Sequence, residues 1–314
     1  MPTFRNGSIH LFRLAGVDVF LNWTWFLVAA YAIERSNGAY SSVVWSVLEY
    51  LALFLIVLTH EFGHAMACRQ VGGTANRILL WPFGGVAYVD PPQRPGAMLW
   101  SIVAGPLVNV ALMPVLFAAL YLAKSAGLRQ TNHDVYTFVL EVCLINVSLL
   151  IFNILPIYPL DGGKIVWSLL WFVMGRARSL MVATVLGFIG IVGLFGLALL
   201  FHEIWFGLIC IYLVLSCWNG FQYSRAMLRQ EKQPRRMGFA CPGCRNAPPL
   251  GARWKCGRCE QVFDTFETRA VCPNCTAECS NTTCGFCGKQ YPMSEWIVGA
   301  VSGGGVINGQ VIAK

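Results

Sequence analysis

Apolar residues in this chain gather into long runs, and those runs are confined to residues 1–222. A helix needs about 20 apolar residues to cross the hydrocarbon core of a bilayer. Six stretches approach or exceed that length: 17–33, 43–68, 97–123, 136–155, 180–201 and 204–221. The first is short and follows an amphipathic lead containing Arg5 and Arg13. It has no clear small-residue cleavage site, so it reads as a retained helix. Residues 164–174 are apolar but too few to cross, which predicts a helix at or just inside the interface.

Between the second and third runs the pattern changes. Ile78-Leu79-Leu80-Trp81 and Val86-Ala87-Tyr88-Val89 flank Pro82-Phe83-Gly84-Gly85. Short β-prone runs around Pro and paired Gly predict a hairpin. It is too apolar for an ordinary loop, and its edges must be covered by helices or line a wet cavity. The expected fold is an all-α polytopic membrane domain with about six transmembrane helices and a small membrane-associated β-hairpin, followed by a small β-rich domain.

Composition agrees with that division. Of 314 residues, 56% are hydrophobic and 12% charged, against about 25% charged in a soluble domain. Residues 225–314 hold 12 of the 23 Lys+Arg and nine of the 13 Cys. The expected boundaries are a membrane domain at 1–224, a basic linker at 225–237 and a Cys-rich domain at 238–314. The net charge of +8 reads as the Lys/Arg bias of cytoplasmic flanks rather than as a nucleic-acid surface. Six spans put the four richer basic segments on one side: Arg5 and Arg13; Arg69, Arg77 and Arg94; Lys164, Arg176 and Arg178; and Arg225 to Arg236. That predicts a multi-pass protein of the cell membrane with both termini cytoplasmic.

Candidate chemistry lies near the end of the second run, in His60-Glu61-Phe62-Gly63-His64. Residues four apart share a helical face, so two imidazoles can bind one zinc ion, with the intervening glutamate as base on the water that such a metal activates. Arg69 lies nine residues beyond His60, or about 13 Å along a helix, which sets the motif below the cytoplasmic surface. Ionisable groups at that depth are costly and mark function by default. A catalytic zinc needs a third protein ligand, often a carboxylate. Glu141 stands near the far end of its span, whereas Asp161 stands at the depth of the histidines. Pro156, Pro159, Gly162 and Gly163 break the helix there, so Asp161 is the expected ligand.

His60-Glu-Phe-Gly-His64, the Asn153…Pro159-Leu160-Asp161-Gly162 segment, the Pro82-Phe83-Gly84-Gly85 hairpin and Gly105-Pro106-Leu-Val-Asn109 together resemble the site-2 protease family of intramembrane metalloproteases. The resemblance covers roughly residues 10–222. It implies zinc held by His60, His64 and Asp161, Glu61 as general base, and Asn153 positioning substrate or stabilising the oxyanion. It also implies a hairpin that pairs with an extended substrate strand. Pairing of that kind would satisfy the backbone groups freed when a helical substrate unwinds. For Asn109 and Asn146, helix–helix hydrogen bonding stands beside a catalytic role as the plainer expectation.

The C-terminal region carries four Cys-x2-Cys pairs. Read in order, Cys241, Cys244, Cys256 and Cys259 make one structural zinc site, and Cys272, Cys275, Cys284 and Cys287 make a second, each with zinc-ribbon spacing. Cys279 is left over. A reducing cytoplasm argues against disulfides. The expected cofactors are one catalytic and two structural zinc ions. The expected function is zinc-dependent endopeptidase cleavage of membrane-spanning protein substrates near the cytoplasmic side, in regulated intramembrane proteolysis. The expected partners are that substrate, the lipid bilayer and a cytosolic protein docked on the ribbons; nucleic acid is not expected. The alternative is a non-proteolytic membrane adaptor with a vestigial metal site and partner-binding ribbons.

Overall fold

The computed structural model describes residues 7–36, 38–81, 84–201 and 204–298. The hairpin tip at Pro82 and Phe83, the tight turn at His202 and Glu203, and the Gly-rich tail beyond residue 298 lie outside the described residues. Contacts divide the chain into two compact units, Met1–Ala226 and Met227–Lys314.

In the first unit the elements run β1 (Ser8–Leu14), β2 (Val17–Asn22), α1 (Trp25–Arg35), α2 (Val43–Gln70), β3 (Thr74–Trp81), β4 (Gly84–Asp90), α3 (Pro95–Ser125), α4 (Leu128–Thr131), α5 (His133–Ile154), α6 (Asp161–Met174), α7 (Arg176–Phe201) and α8 (Ile204–Glu231). Four of these are long and apolar enough to cross a membrane among the described residues: α2, α3, α5 and α7 up to Leu200. The sixth expected span lies within α8, which also runs on through half of the expected linker.

The first expected span is corrected. Residues 17–22 are a strand, and only the 11-residue α1 follows it. Val17, Val19 and Leu21 are buried while Asp18, Phe20 and Asn22 are less so. That alternation is the period of a half-buried strand. The turn into α1 is set by Asn22, whose Oδ1 accepts from the Thr24 backbone N–H at 3.0 Å and its hydroxyl at 2.6 Å.

The membrane domain is therefore not all-α. The expected hairpin exists, as β3 paired antiparallel with β4, but it belongs to a four-stranded sheet in the order β1-β2-β3-β4. β2 and β3 pair in parallel. Val17, Val19, Leu21, Ile78 and Leu80 share one core with Val57, Leu58, Ala65 and Cys68 of α2. The sheet thus lies on the helix that carries the histidines, with β4 as an edge strand.

The second unit is built from four equivalent knuckles and little regular structure: β5 (Trp254–Lys255) pairs with β6 (Val262–Phe263), and β7 (Thr282–Thr283) with β8 (Gln290–Tyr291). In each knuckle the residue after the second cysteine has positive φ: Arg245, Glu260, Thr276 and Gly288. Its N–H returns to the carbonyl of the first cysteine at 2.8 to 3.0 Å. Phe266 is the centre of the core, with Phe239, Trp254 and Trp296 each edge-on at 5.1 Å between ring centroids. Arg236 donates to Asp264 at 2.6 Å, and Arg235 bridges to Pro249. The end of the expected linker is therefore part of this unit.

Candidate functional site

α2 presents His60 and His64 on one face, and the interruption of helix between α5 and α6 returns Asp161 to the start of α6. All three are buried. The Nε2 atoms of His60 and His64 lie 3.1 Å apart, and they stand 3.1 and 3.0 Å from Asp161 Oδ2. A carboxylate at the first position of a helix also meets the positive end of its dipole. The other Asp161 oxygen, Oδ1, faces Lys164 Nζ at 3.5 Å, which leaves Oδ2 for the histidines.

The donor set fits a zinc ion. Each histidine engages its remaining nitrogen: His64 Nδ1 with the Ser101 carbonyl at 2.8 Å and His60 Nδ1 with Asn109 Oδ1 at 2.6 Å. A carbonyl only accepts, so these nitrogens carry the hydrogens and both Nε2 lone pairs turn toward Asp161. Three lone-pair atoms converging at this distance suit a cation held between them. Zinc–nitrogen bonds of about 2.05 Å in tetrahedral geometry place ligand atoms about 3.3 Å apart, close to the spacing observed. Space for the ion comes from Gly105 on α3, where a Cβ would overlap His64 Nε2 and lie 2.8 Å from His60 Nε2.

Glu61 sits between the two histidines in sequence but stands outside the converging set. Its Oε2 accepts from the Ala87 backbone N–H of β4 at 2.9 Å. Gly85 allows this approach, since a Cβ there would overlap the Glu61 side chain. Asn153 is half-buried near the C-terminal end of α5. Sequence reasoning passed over the groups around the ligands: the Ser101 carbonyl, Lys164 and the Ala87 amide. A main-chain carbonyl or amide leaves no residue-type signature, but Lys164, one turn after Asp161 in an apolar segment, was such a signal.

In the second unit the structure overturns the expected grouping of cysteines. Cys241 and Cys244 converge with Cys284 and Cys287, and Cys256 and Cys259 converge with Cys272 and Cys275. The Sγ pairs across each site lie 3.5 to 3.7 Å apart. The inner site is nested within the outer one. Its cause is the pairing of the domain's two ends: Phe239 bridges to Ile297, and the Ala240 N–H donates to the Trp296 carbonyl at 2.8 Å. That contact carries the first knuckle to the last. In the inner site, the Cys259 N–H holds the Cys256 thiol below its ordinary range, and the Gln261 N–H brings Cys259 down to about 6. Against an Ala277 N–H that lowers it, the neighbouring Cys259 and Cys256 push Cys275 of the same site up to about 12, so only part of the set favours the thiolate form that binds metal. Cys279 lies against the inner site but outside its four ligands.

Nesting is open to a direct count. Cys241→Ser and Cys284→Ser are each expected to remove one zinc per chain, and the double variant no more than one. Cys241→Ser with Cys256→Ser is expected to remove two. Native mass spectrometry checks this, and grouping in sequence order gives the opposite pattern for these doubles.

The description of peptidase family M50 matches residues 49–132 and 126–197. A zinc metalloprotease of Methanocaldococcus jannaschii is 33% identical over 184 residues, 58% of this chain and 51% of that protein. Stage IV sporulation protein FB of Bacillus subtilis is 40% identical over 121 residues, 38% of this chain and 39% of that protein. The chain thus spans about half or less of the length of these relatives. Among solved structures, the site-2 protease from Methanocaldococcus jannaschii is 27% identical, with a TM-score of 0.48, and the match covers 68% of this chain and 95% of that one.

Proposed function

From the match of residues 49–197 to peptidase family M50, we propose that the first unit is an intramembrane zinc endopeptidase that cuts membrane-spanning proteins near the cytoplasmic side, in regulated intramembrane proteolysis. One observation carries the reading: two imidazoles and a carboxylate converge within 3.1 Å, beside a glutamate outside that set and an edge strand. His60, His64 and Asp161 hold the metal. Zinc bound there supplies Lewis acidity toward the scissile carbonyl and lowers the pKa of water.

Glu61 accepts the proton of the attacking water and delivers it to the leaving amine. Its burial between α2 and β4 keeps bulk water from competing for that proton. β4 is the edge strand of the sheet, and a substrate segment unwound from helix satisfies its own backbone by pairing there. Asn153 lies on the chain segment leading to Asp161 and orients the substrate. The basic residues that follow α2, Arg69, Arg77 and Arg94, put its C-terminal end, and with it His60 and His64, toward the cytoplasmic side. The ribbons dock a cytosolic protein.

The test is cleavage by the purified full chain of a membrane-spanning substrate in proteoliposomes, with zinc counted on the same sample. The wild type is expected to hold about three zinc per chain. Asp161→Ala is expected to hold about two and to cleave nothing. A variant that cleaves at wild-type rate would refute the reading, as would a wild type with no more zinc than Asp161→Ala. The adaptor alternative predicts partner binding with no cleavage by either protein.

A further inference from the structure

We propose that Asn109 and Asn146 form a relay that sets which nitrogen of His60 faces the metal, and that both are positioning residues for the centre. The inference rests on the proposed metal role of His60.

Both asparagines are completely buried. An asparagine amide has an accepting end and a donating end of nearly the same shape, so its orientation is decided by its partners. Here the partners form a chain with one fixed end. The Asn109 main-chain carbonyl can only accept, and it takes Asn146 Nδ2 at 3.0 Å. That turns Asn146 Oδ1 toward Asn109 Nδ2, which donates to it at 2.8 Å. Asn109 Oδ1 is then the end left for His60 Nδ1, at 2.6 Å. Nδ1 must carry the hydrogen, and Nε2 presents its lone pair to the metal.

Asn146 never touches His60, yet it decides the tautomer. Without it, the Asn109 amide is free to reverse, and its Nδ2 would meet His60 Nδ1 as donor against donor. The imidazole would then move its hydrogen to Nε2, where no metal can bind. His64 needs no relay, because its Nδ1 donates directly to a main-chain carbonyl. Groups that orient ligand imidazoles are commonly worth 10- to 100-fold in metal affinity. The relay spans α2, α3 and α5, so a simple clasp between helices is the competing account.

A carboxylate separates the two accounts, because both of its ends accept. The experiment measures zinc affinity of the full chain by competition with a chelator, taking Asp161→Ala as the baseline for zinc held by the ribbons. Asn146→Ala is expected to weaken the membrane-domain site by about 10- to 100-fold. Asn109→Asp combined with Asn146→Ala is expected to recover to within about threefold of wild type. A clasp predicts that the double variant is as weak as the single or weaker, and that result would overturn the relay. Undiminished affinity in Asn146→Ala would do the same. Should that variant fail to fold, Asn109→Leu removes the acceptor without opening a cavity. It is expected to lose affinity to the same degree, and wild-type affinity there would also refute the relay. If the wild type binds no more zinc than Asp161→Ala, the metal reading itself has failed, which is a distinct outcome.

Discussion

Glu61→Gln is expected to leave the metal content unchanged and to lower cleavage by about 10²- to 10⁴-fold, the range of a lost general base. The two effects separate because Glu61 is not among the three converging ligands. Glutamine is isosteric, and its Oε1 can still accept from the Ala87 N–H that Glu61 engages at 2.9 Å. The packing of β4 on α2 is thus preserved, and only the capacity to take a proton is lost. Zinc analysis and single-turnover cleavage on one preparation measure both quantities. Cleavage at the wild-type rate would remove Glu61 from the mechanism.

Gly105→Ala should act in the opposite way, by removing the metal. The added methyl occupies the space that the imidazoles surround, overlapping His64 Nε2 and lying 2.8 Å from His60 Nε2. Alanine is the better helix former by about 1 kcal/mol, so α3 itself is not weakened. The expected metal content is that of Asp161→Ala, about two zinc per chain, all in the ribbons, with no cleavage. A variant holding the full complement would show that the metal does not lie where His60, His64 and Asp161 converge. A melting curve of the membrane domain in the same detergent would show whether the lesion is local.

The parts of this site that were legible in the sequence are those carried by residue type at fixed spacing. His60 and His64 share a helix face by periodicity alone, and Asp161 is marked by the Pro and Gly around it. The helices α2, α3, α5 and α7 announce themselves by length and apolarity. Residues 17–22 did not, because Val17, Val19 and Leu21 alternate with residues of which only Asp18 and Asn22 are strongly polar. A run so rich in apolar residues fits a strand or a helix until its neighbours are known. The helix reading lost because Ile78 and Leu80 supply a paired strand and α2 supplies the covering face.

The cysteines failed for a different reason. Each knuckle is a local structure with its own turn and its own hydrogen bond, and all four are alike. Nothing within a knuckle says which other knuckle it faces. That information resides in the long-range contact of Phe239 and Ala240 with Ile297 and Trp296. Asn109 and Asn146 were visible as polar residues in apolar helices, and hydrogen bonding between the helices is what they do. Their link to His60 required the depth and rotation of three helices.

Nesting also imposes an order of assembly on the second unit. Cys259 and Cys272 are 13 residues apart, whereas Cys244 and Cys284 are 40 apart. Closing the longer loop from an open chain costs roughly 0.6 kcal/mol more for each doubling of length, or about 1 kcal/mol here. Once the inner site has closed, the chain between the outer knuckles is already shortened, and much of that difference disappears. The second unit is therefore expected to fold from the inside outward. The outer cluster is expected to close last, since it needs Phe239 and Ala240 to have met Ile297 and Trp296.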